Sequence, residues 1–308
     1  KLLLNNNPNK LKAGIALEAL EKVLENEPED IEANCLAIRA LRLKGNYDDA
    51  LSRAERLKSK FQNTAIIYEE LGRIQLKLEN YDEALKILEL GHEKFRGNER
   101  IMRALVLALM EFKKYHKALT ICNILLEKNS KDTRATDLKM DILFFLNQYD
   151  DVLDIGERFY EDHPDEYQTV QFTSKDEVIT FGIQLAIHYH KVANHYLNKD
   201  HLSLKSLVNK KSDKKQMLIT SNLNLKSKKL YERAIFHVDN TISDDSHFNW
   251  TIGLFRKSVC LLYLEQYKEA LSILDELISD QKNDYSIRRY KIFTLFALKR
   301  YQEVLKTS

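Results

Sequence analysis

The hexapeptide NYDDAL at residues 46–51 returns as NYDEAL at residues 80–85, so that Tyr47 and Tyr81 stand 34 residues apart. The Tyr-x-x-Ala signal continues in the same step at Tyr115 with Ala118, and at Tyr149 with Val152 in the alanine slot. It reappears at Tyr231 with Ala234, Tyr267 with Ala270 and Tyr301 with Val304, the last interval again being 34. Three equal steps in a row mark a stacked repeat, and nothing else in the chain constrains the fold as tightly. A unit this short cannot bury its own apolar face, so each is stable only against its neighbours.

The repeating unit is helical. Eight Gly and three Pro in 308 residues are too few for the many tight turns of a β protein. Each period reads as two helices, the first over about Asp30 to Lys44 and the second over about Asp48 to Lys60. Leu36, Ile38, Leu41 and Leu43 supply apolar positions in the first, and Ala50, Leu51, Ala54 and Leu57 form one buried face of the second. Ala50 is small where two helices approach. Gly45 suits the left-handed conformation that ends a helix, and Tyr47 sits at the turn with its hydroxyl toward water. A further helix is expected over about Lys10 to Asn26, as the second half of a unit whose first half lies outside the sequence.

With 31% charged and 44% hydrophobic residues the chain can build a core. Its longest weakly polar run, Val178 to Ile187, is far short of the roughly 18 residues that span a bilayer. A formal net charge of +2 gives no whole-chain field for nucleic acid. Cys35, Cys122 and Cys260 share no metal-ligand spacing and read as small buried residues in a reducing compartment, the cytoplasm or nucleus. The chain opens on Lys1 and closes at Ser308 inside a running pattern, which reads as a fragment of something longer.

These features resemble the tetratricopeptide repeat family. The 34-residue period matches, as do Tyr68, Leu71 and Gly72 in the first helix of one unit and Tyr81 and Ala84 in its second. Pro28 falls where units of that family often end. Other units depart from the pattern: the Gly72 slot holds Ile38, Val106, Met140, Ser258 and Ile292. The resemblance implies an all-α solenoid of stacked helix-turn-helix repeats in a right-handed superhelix, a single domain over residues 1–308. No particular member is indicated.

The period breaks after Tyr149. Ser174 with Glu177 reads as a capping box, opening a long helix over about Lys175 to Leu197. Beyond it, residues 198–224 read as a basic insertion between the two helices of a repeat. From Lys199 to Arg233 there are ten Lys or Arg against three acids. The bland reading is a solvated loop that lengthened at little cost. The sharper one is a contact for an acidic partner, RNA or an anionic membrane through Lys205, Lys210, Lys211, Lys214 and Lys215. No aromatic residue interleaves the cluster from 199 to 229, which leaves bases no stacking platform and argues against nucleic acid. Leu202, Leu204, Leu207 and Val208 can instead form a short helix.

Nothing reads as chemistry. There is no phosphate loop, nucleophile elbow or zinc pattern, and no cofactor or metal is expected. His188 and His190 point about 200° apart on a helix, and His188 and His195 lie two turns, roughly 10.5 Å, apart along it.

The resemblance implies that positions 2, 5, 9 and 12 of each first helix face the concave side. Counting Ile31 as position 1, these are Glu32, Cys35, Arg39 and Arg42; then Ile66, Glu69, Arg73 and Leu76; Arg100, Arg103, Leu107 and Met110; and Arg134, Asp137, Asp141 and Phe144. Toward the C-terminus they become Ile252, Phe255, Val259 and Leu262, then Ser286, Arg289, Phe293 and Phe296. Arg39, Arg42, Arg73, Arg100, Arg103 and Arg134 suit forked carboxylate contacts, and Phe255, Phe293 and Phe296 suit an apolar helical segment. Against this stand plain pairing of Arg with acids on adjacent helices and packing of the Phe residues against helices outside the sequence. The carboxylate clamp of the family's chaperone-tail receptors is not matched: the corresponding slots hold Cys35, Arg39, Glu70, Arg100 and Ala104, or Glu69, Arg73, Ala104, Arg134 and Leu138. The expected function is therefore a non-enzymatic protein-binding scaffold or adaptor subunit. The alternatives are the targeting or regulatory arm of an enzyme complex, and an RNA or membrane binder acting through the basic insertion.

Overall fold

The computed structural model describes residues 8–168, 170–172, 178–208, 214–241, 247–280 and 284–307. The chain divides into two compact units, residues 1–146 and, in the main, 147–308.

The first unit holds α1 (Pro8–Asn26), α2 (Ile31–Lys44), α3 (Tyr47–Lys60), α4 (Ala65–Lys77), α5 (Tyr81–Lys94), α6 (Glu99–Glu111), α7 (Tyr115–Lys128) and α8 (Thr133–Phe145). The expected helix ends are met within about two residues. Asp30 is a cap rather than a helical residue: its side chain accepts from the Ala33 N–H at 3.0 Å. Asn98 and Asp132 do the same two and three repeats further on, for Ile101 and for Arg134 with Ala135. A polar acceptor before the first helix satisfies amides that have no intrahelical partner.

In six of the described turns between paired helices the chain passes through a left-handed residue, and within each run of repeats these too recur every 34 positions. Gly45 (φ 96°) is followed by Glu79 (61°), Lys113 (56°) and Asn147 (63°), and later by Glu265 (63°) and Lys299 (60°). In each turn whose bonds are described, the next amide reaches back to close a Schellman motif: Asn46 N–H to Leu41, Asn80 to Gln75, Lys114 to Leu109, Gln266 to Leu261 and Arg300 to Leu295.

Ala50, Ala84 and Ala118 are wholly buried, as their size predicts. So are Ile38, Ile67, Ile74, Leu88, Ile101 and Ile142, which join the core running through this unit. Leu36, read above as an apolar position of α2, is instead 42% exposed. A Cβ on Gly72 would lie 2.4 Å from the Leu88 side chain, so α4 and α5 approach there more closely than any side chain on α4 allows. A ladder of lysines ties each second helix to the preceding turn region: Lys60 Nζ meets Glu29 at 2.7 Å, Lys94 the Gln62 carbonyl at 2.7 Å and Lys128 the Gly97 carbonyl at 2.9 Å.

The second unit holds α9 (Tyr149–Asp162), a 3-10 turn (Pro164–Gln168), β1 (Val170–Phe172), β2 (Val178–Thr180), α10 (Phe181–Val208), α11 (Lys214–Thr241), α12 (His247–Tyr263), α13 (Tyr267–Asp280), α14 (Tyr285–Ala297) and α15 (Tyr301–Thr307). Two expectations fail here. The helix expected from Lys175 begins only at Phe181, because residues 178–180 pair antiparallel with 170–172, Val178 opposite Phe172. β-branched Val178, Ile179 and Thr180 favour that extended state. The capping box of Ser174 and Glu177 lies outside the described residues. The second failure is the loop reading of the Lys-rich stretch. It is helical on both sides, to Val208 and from Lys214, and α10 and α11 form a hairpin of two 28-residue helices. The short helix allowed for Leu202 to Val208 is the last part of α10. Strong helix formers such as Lys, Leu and Gln outweigh the absence of a clean apolar period.

Candidate protein-interaction surfaces

In the first unit the arginines are not bare. Glu70, on α4, is completely buried and accepts from Arg39 Nε at 2.6 Å and Arg42 Nε at 2.9 Å, both from α2. Burial alone would raise its carboxyl; the guanidiniums of Arg42 and Arg39 outweigh that, and the net shift is downward. Glu69 Oε1 accepts from Arg73 Nε at 3.0 Å, while its Oε2 lies 3.7 Å from Arg39 Nη2. Arg103 is clasped between Asp132 and Glu99, the latter at 3.0 Å. Arg134 is half-buried and Arg100 exposed. Pairing with acids on neighbouring helices, weighed above against ligand binding, thus accounts for Arg42 and Arg103 and orients Arg39 and Arg73.

In the second unit the aromatic stripe divides. Phe255 is half-buried, edge-on to Tyr290 at 5.4 Å, beside the cluster of Leu274, Leu277 and Ile287. Phe293 and Phe296 on α14 are 54% and 63% exposed. The Arg289 guanidinium lies 5.7 Å from the Phe293 ring, and Tyr301 meets Phe296 edge-on at 5.5 Å. Lys205, Lys214 and Lys215 fall on α10 and α11, whereas Lys210 and Lys211 lie outside the described residues.

Two polar clusters of the second unit, the first part-buried and the second buried, carry no signal in the sequence. Glu157 on α9 accepts from Arg233 through both oxygens, at 2.7 and 2.5 Å, from Tyr189, and from His237 Nε2 at 3.3 Å. Burial would raise this carboxyl, but the donors pull it far below the ordinary range. The partners lie 32 to 80 residues away, so no local pattern could reveal them.

The second cluster brings Cys260 Sγ within 3.5 Å of His190 Nδ1, with Asn194 Nδ2 2.8 Å from His190 Nε2. Cysteine, histidine and asparagine together are the residue set of a thiol nucleophile. The proton placement here is wrong for that role. Tyr231 donates to Asn194 Oδ1 at 2.8 Å, so the amide NH2 donates to His190 Nε2 and the ring proton sits on Nδ1, facing the sulfur. The ring therefore cannot take the thiol proton. Burial pushes Cys260 up to about 12 and, with Arg256 nearby, lowers His190 to about 4. Both groups are neutral at pH 7, and both are buried. Cys35 and Cys122 are buried thiols as well, raised to about 11 and about 12 by burial.

The family model of the tetratricopeptide repeat matches residues 35–99. No curated protein sequence matches the chain. Among solved structures it is similar to a tetratricopeptide repeat protein from Parabacteroides merdae, at 15% identity and a TM-score of 0.53 over 93% of this chain and 94% of that one. It is similar also to a chain of the APC/C hetero-tetramer Cut9–Hcn1, at 12% identity and a TM-score of 0.53 over 97% of this chain but 52% of that one. YrrB, described as a TPR protein with an unusual peptide-binding site, aligns at 18% identity and a TM-score of 0.45 over 72% of this chain. The fold is similar to that of tetratricopeptide repeat structures, an array of stacked helix pairs, here with the short strands β1 and β2 between α9 and α10. None of its described helices is long and apolar enough to cross a membrane.

Proposed function

We infer that the chain is a non-catalytic scaffold or adaptor subunit that holds a segment of a partner protein against the first helices of its repeats. The observation that carries this reading is the pair Phe293 and Phe296. They occupy positions 9 and 12 of the last unit, whose second helix α15 is described over seven residues, and lie one turn apart on α14, each exposing more than half its surface. Aromatic side chains are the usual anchors of protein interfaces. A soluble surface that keeps two of them a turn apart fits an apolar partner segment. The buried, neutral thiols suit the cytoplasm or nucleus.

The test is a pull-down from lysate at moderate salt, comparing the native chain with Phe293→Ala/Phe296→Ala. One protein retained in stoichiometric amount by the native chain and lost by the double variant is the expected result. Equal retention by both would remove α14 as the contact. The basic-insertion alternative predicts something different: binding that collapses as salt rises, through counterion release, and ignores the two phenylalanines.

A further inference from the structure

In the scaffold reading, on which this inference rests, the open question is what chemistry the first unit recognises. Arg39 and Arg73 occupy the same slot, position 9, of successive repeats. One carboxylate joins them: Glu69 holds Arg73 by Nε at 3.0 Å and lies 3.7 Å from Arg39 Nη2. Arg39 is also held by Nε, through the completely buried Glu70 at 2.6 Å. Both guanidiniums are thus anchored at Nε. Among the described residues no hydrogen bond engages the terminal Nη atoms of either. Arg39 keeps 28% of its side chain exposed and Arg73 11%. A guanidinium fixed at Nε whose terminal N–H groups are not hydrogen-bonded presents its fork in one orientation, and a fork matches a carboxylate through two parallel hydrogen bonds. The ordering that a flexible arginine must undergo on binding has already occurred in the free protein.

We propose that Arg39 and Arg73 form a carboxylate-binding site for an acidic side chain of the partner segment, with Glu69 and Glu70 aiming the two forks. The acids act as positioning residues and touch no ligand. This arrangement separates orientation from charge. Glu69→Gln raises the net charge of the site by one. Plain electrostatic attraction therefore predicts tighter binding of an anion, whereas aimed forks predict weaker binding.

The experiment titrates fluorescein-labelled hexaglutamate and hexaglutamine peptides into the full chain, followed by fluorescence anisotropy, with circular dichroism on every variant. Hexaglutamate is expected to bind and hexaglutamine not to. Arg73→Lys keeps the charge and loses the fork, and should weaken hexaglutamate binding by about tenfold, the size of one charge-assisted bond. Glu69→Gln should weaken it several-fold with the helical signal unchanged. Tighter binding by Glu69→Gln, or unchanged binding by Arg39→Gln/Arg73→Gln, overturns the proposal and moves any anion affinity to the lysines of residues 199–229. Absence of hexaglutamate binding by the native chain overturns it too. The scaffold reading stands or falls separately, on the partner lost with Phe293→Ala/Phe296→Ala.

Discussion

The two units use the same helix pair and stabilise it differently. In the first, strong polar contacts between repeats join residues 28 to 32 apart, among them Arg42 to Glu70, Arg39 to Glu70, Arg103 to Asp132 and Lys94 to Gln62. Each is a nearest-neighbour term, repeated with the period. In the second, the period is interrupted by a two-stranded hairpin and the long α10–α11 pair. There buried and part-buried polar groups converge from distant positions, Glu157 on Arg233 and His237, His190 on Cys260. A regular array can spread its stability over many similar interfaces. An irregular one concentrates it in a few clusters, and such clusters are sensitive to the loss of any member.

The largest effect that tests this contrast is at Glu70. Replacing it with Ala leaves Arg42, 6% exposed, without its buried acceptor, and Arg39 without its anchor. Breaking a buried pair from one side costs up to about 4 kcal/mol, because a buried charge loses a partner that offset its desolvation. Urea unfolding followed by circular dichroism should show that loss. Replacing the pair together, as Arg42→Met/Glu70→Leu, should recover most of it. If the double variant is as unstable as Glu70→Ala, the pair contributes net stability beyond mutual neutralisation, and the first unit is less evenly built than its periodicity implies.

Acidification separates the units next. His190 is lowered to about 4 by burial and by Arg256, and His237 is lowered by burial despite Glu157. A histidine whose folded value lies below the unfolded 6.5 favours the neutral folded form. Its contribution is complete above pH 6.5 and drains away as pH falls toward 4. Glu70, whose folded value is depressed from 4.5, keeps its contribution at every pH above 4.5 and loses it only below. Between pH 6.5 and 4.5 the second unit should therefore weaken while Glu70 leaves the first untouched. His190 alone should cost about 2 kcal/mol by pH 5. The single tryptophan, Trp250, lies on α12 and reports on the second unit, while circular dichroism averages over both. The Trp250 transition should move to lower urea at pH 5 than at pH 7, ahead of the helical signal. Coincident transitions at both values would mean that the two units melt as one.

The regular unit was legible and the irregular one was not, for reasons that individual residues make plain. Tyr47, Ala50 and Gly45 announce a turn and a close helix contact locally, so their spacing alone located α2 to α8. Glu70 was passed over as a partner for Arg39 because it sits at position 6, next to the stripe, and the choice between Glu69 and Glu70 depends on how α4 rotates against α2. Glu157 offered no signal at all: on the sequence it is one more charge on a polar helix, and its partners lie on α10 and α11. The strands at Val170–Phe172 and Val178–Thr180 are only three residues each, too short for their alternation to stand out in the sequence. The Lys-rich stretch resembles a loop in composition while its helix propensity is high, and composition alone does not separate the two.

The smallest effect lies in the turns both units share. The left-handed residue between paired helices is Gly only at position 45; Glu79, Lys113, Glu265 and Lys299 hold the same conformation with a Cβ. An L-residue there costs about 1 kcal/mol relative to glycine, and the greater freedom glycine loses on folding offsets part of that. Lys113→Gly should then stabilise the chain by about 0.5 kcal/mol, and Lys299→Gly by a similar amount. Asn147→Gly should gain less, since asparagine tolerates the conformation. Gly45→Ala should lose about 1 kcal/mol for conformational reasons alone, because the nearest atom to its added Cβ is Lys10 Nζ at 3.7 Å and no clash intervenes. Equal gains at Lys113 and Lys299 would show that the turn behaves as an interchangeable part in both units. A gain at Lys113 with none at Lys299 would show that, in the second unit, the turn is held by its surroundings rather than by its own backbone preference.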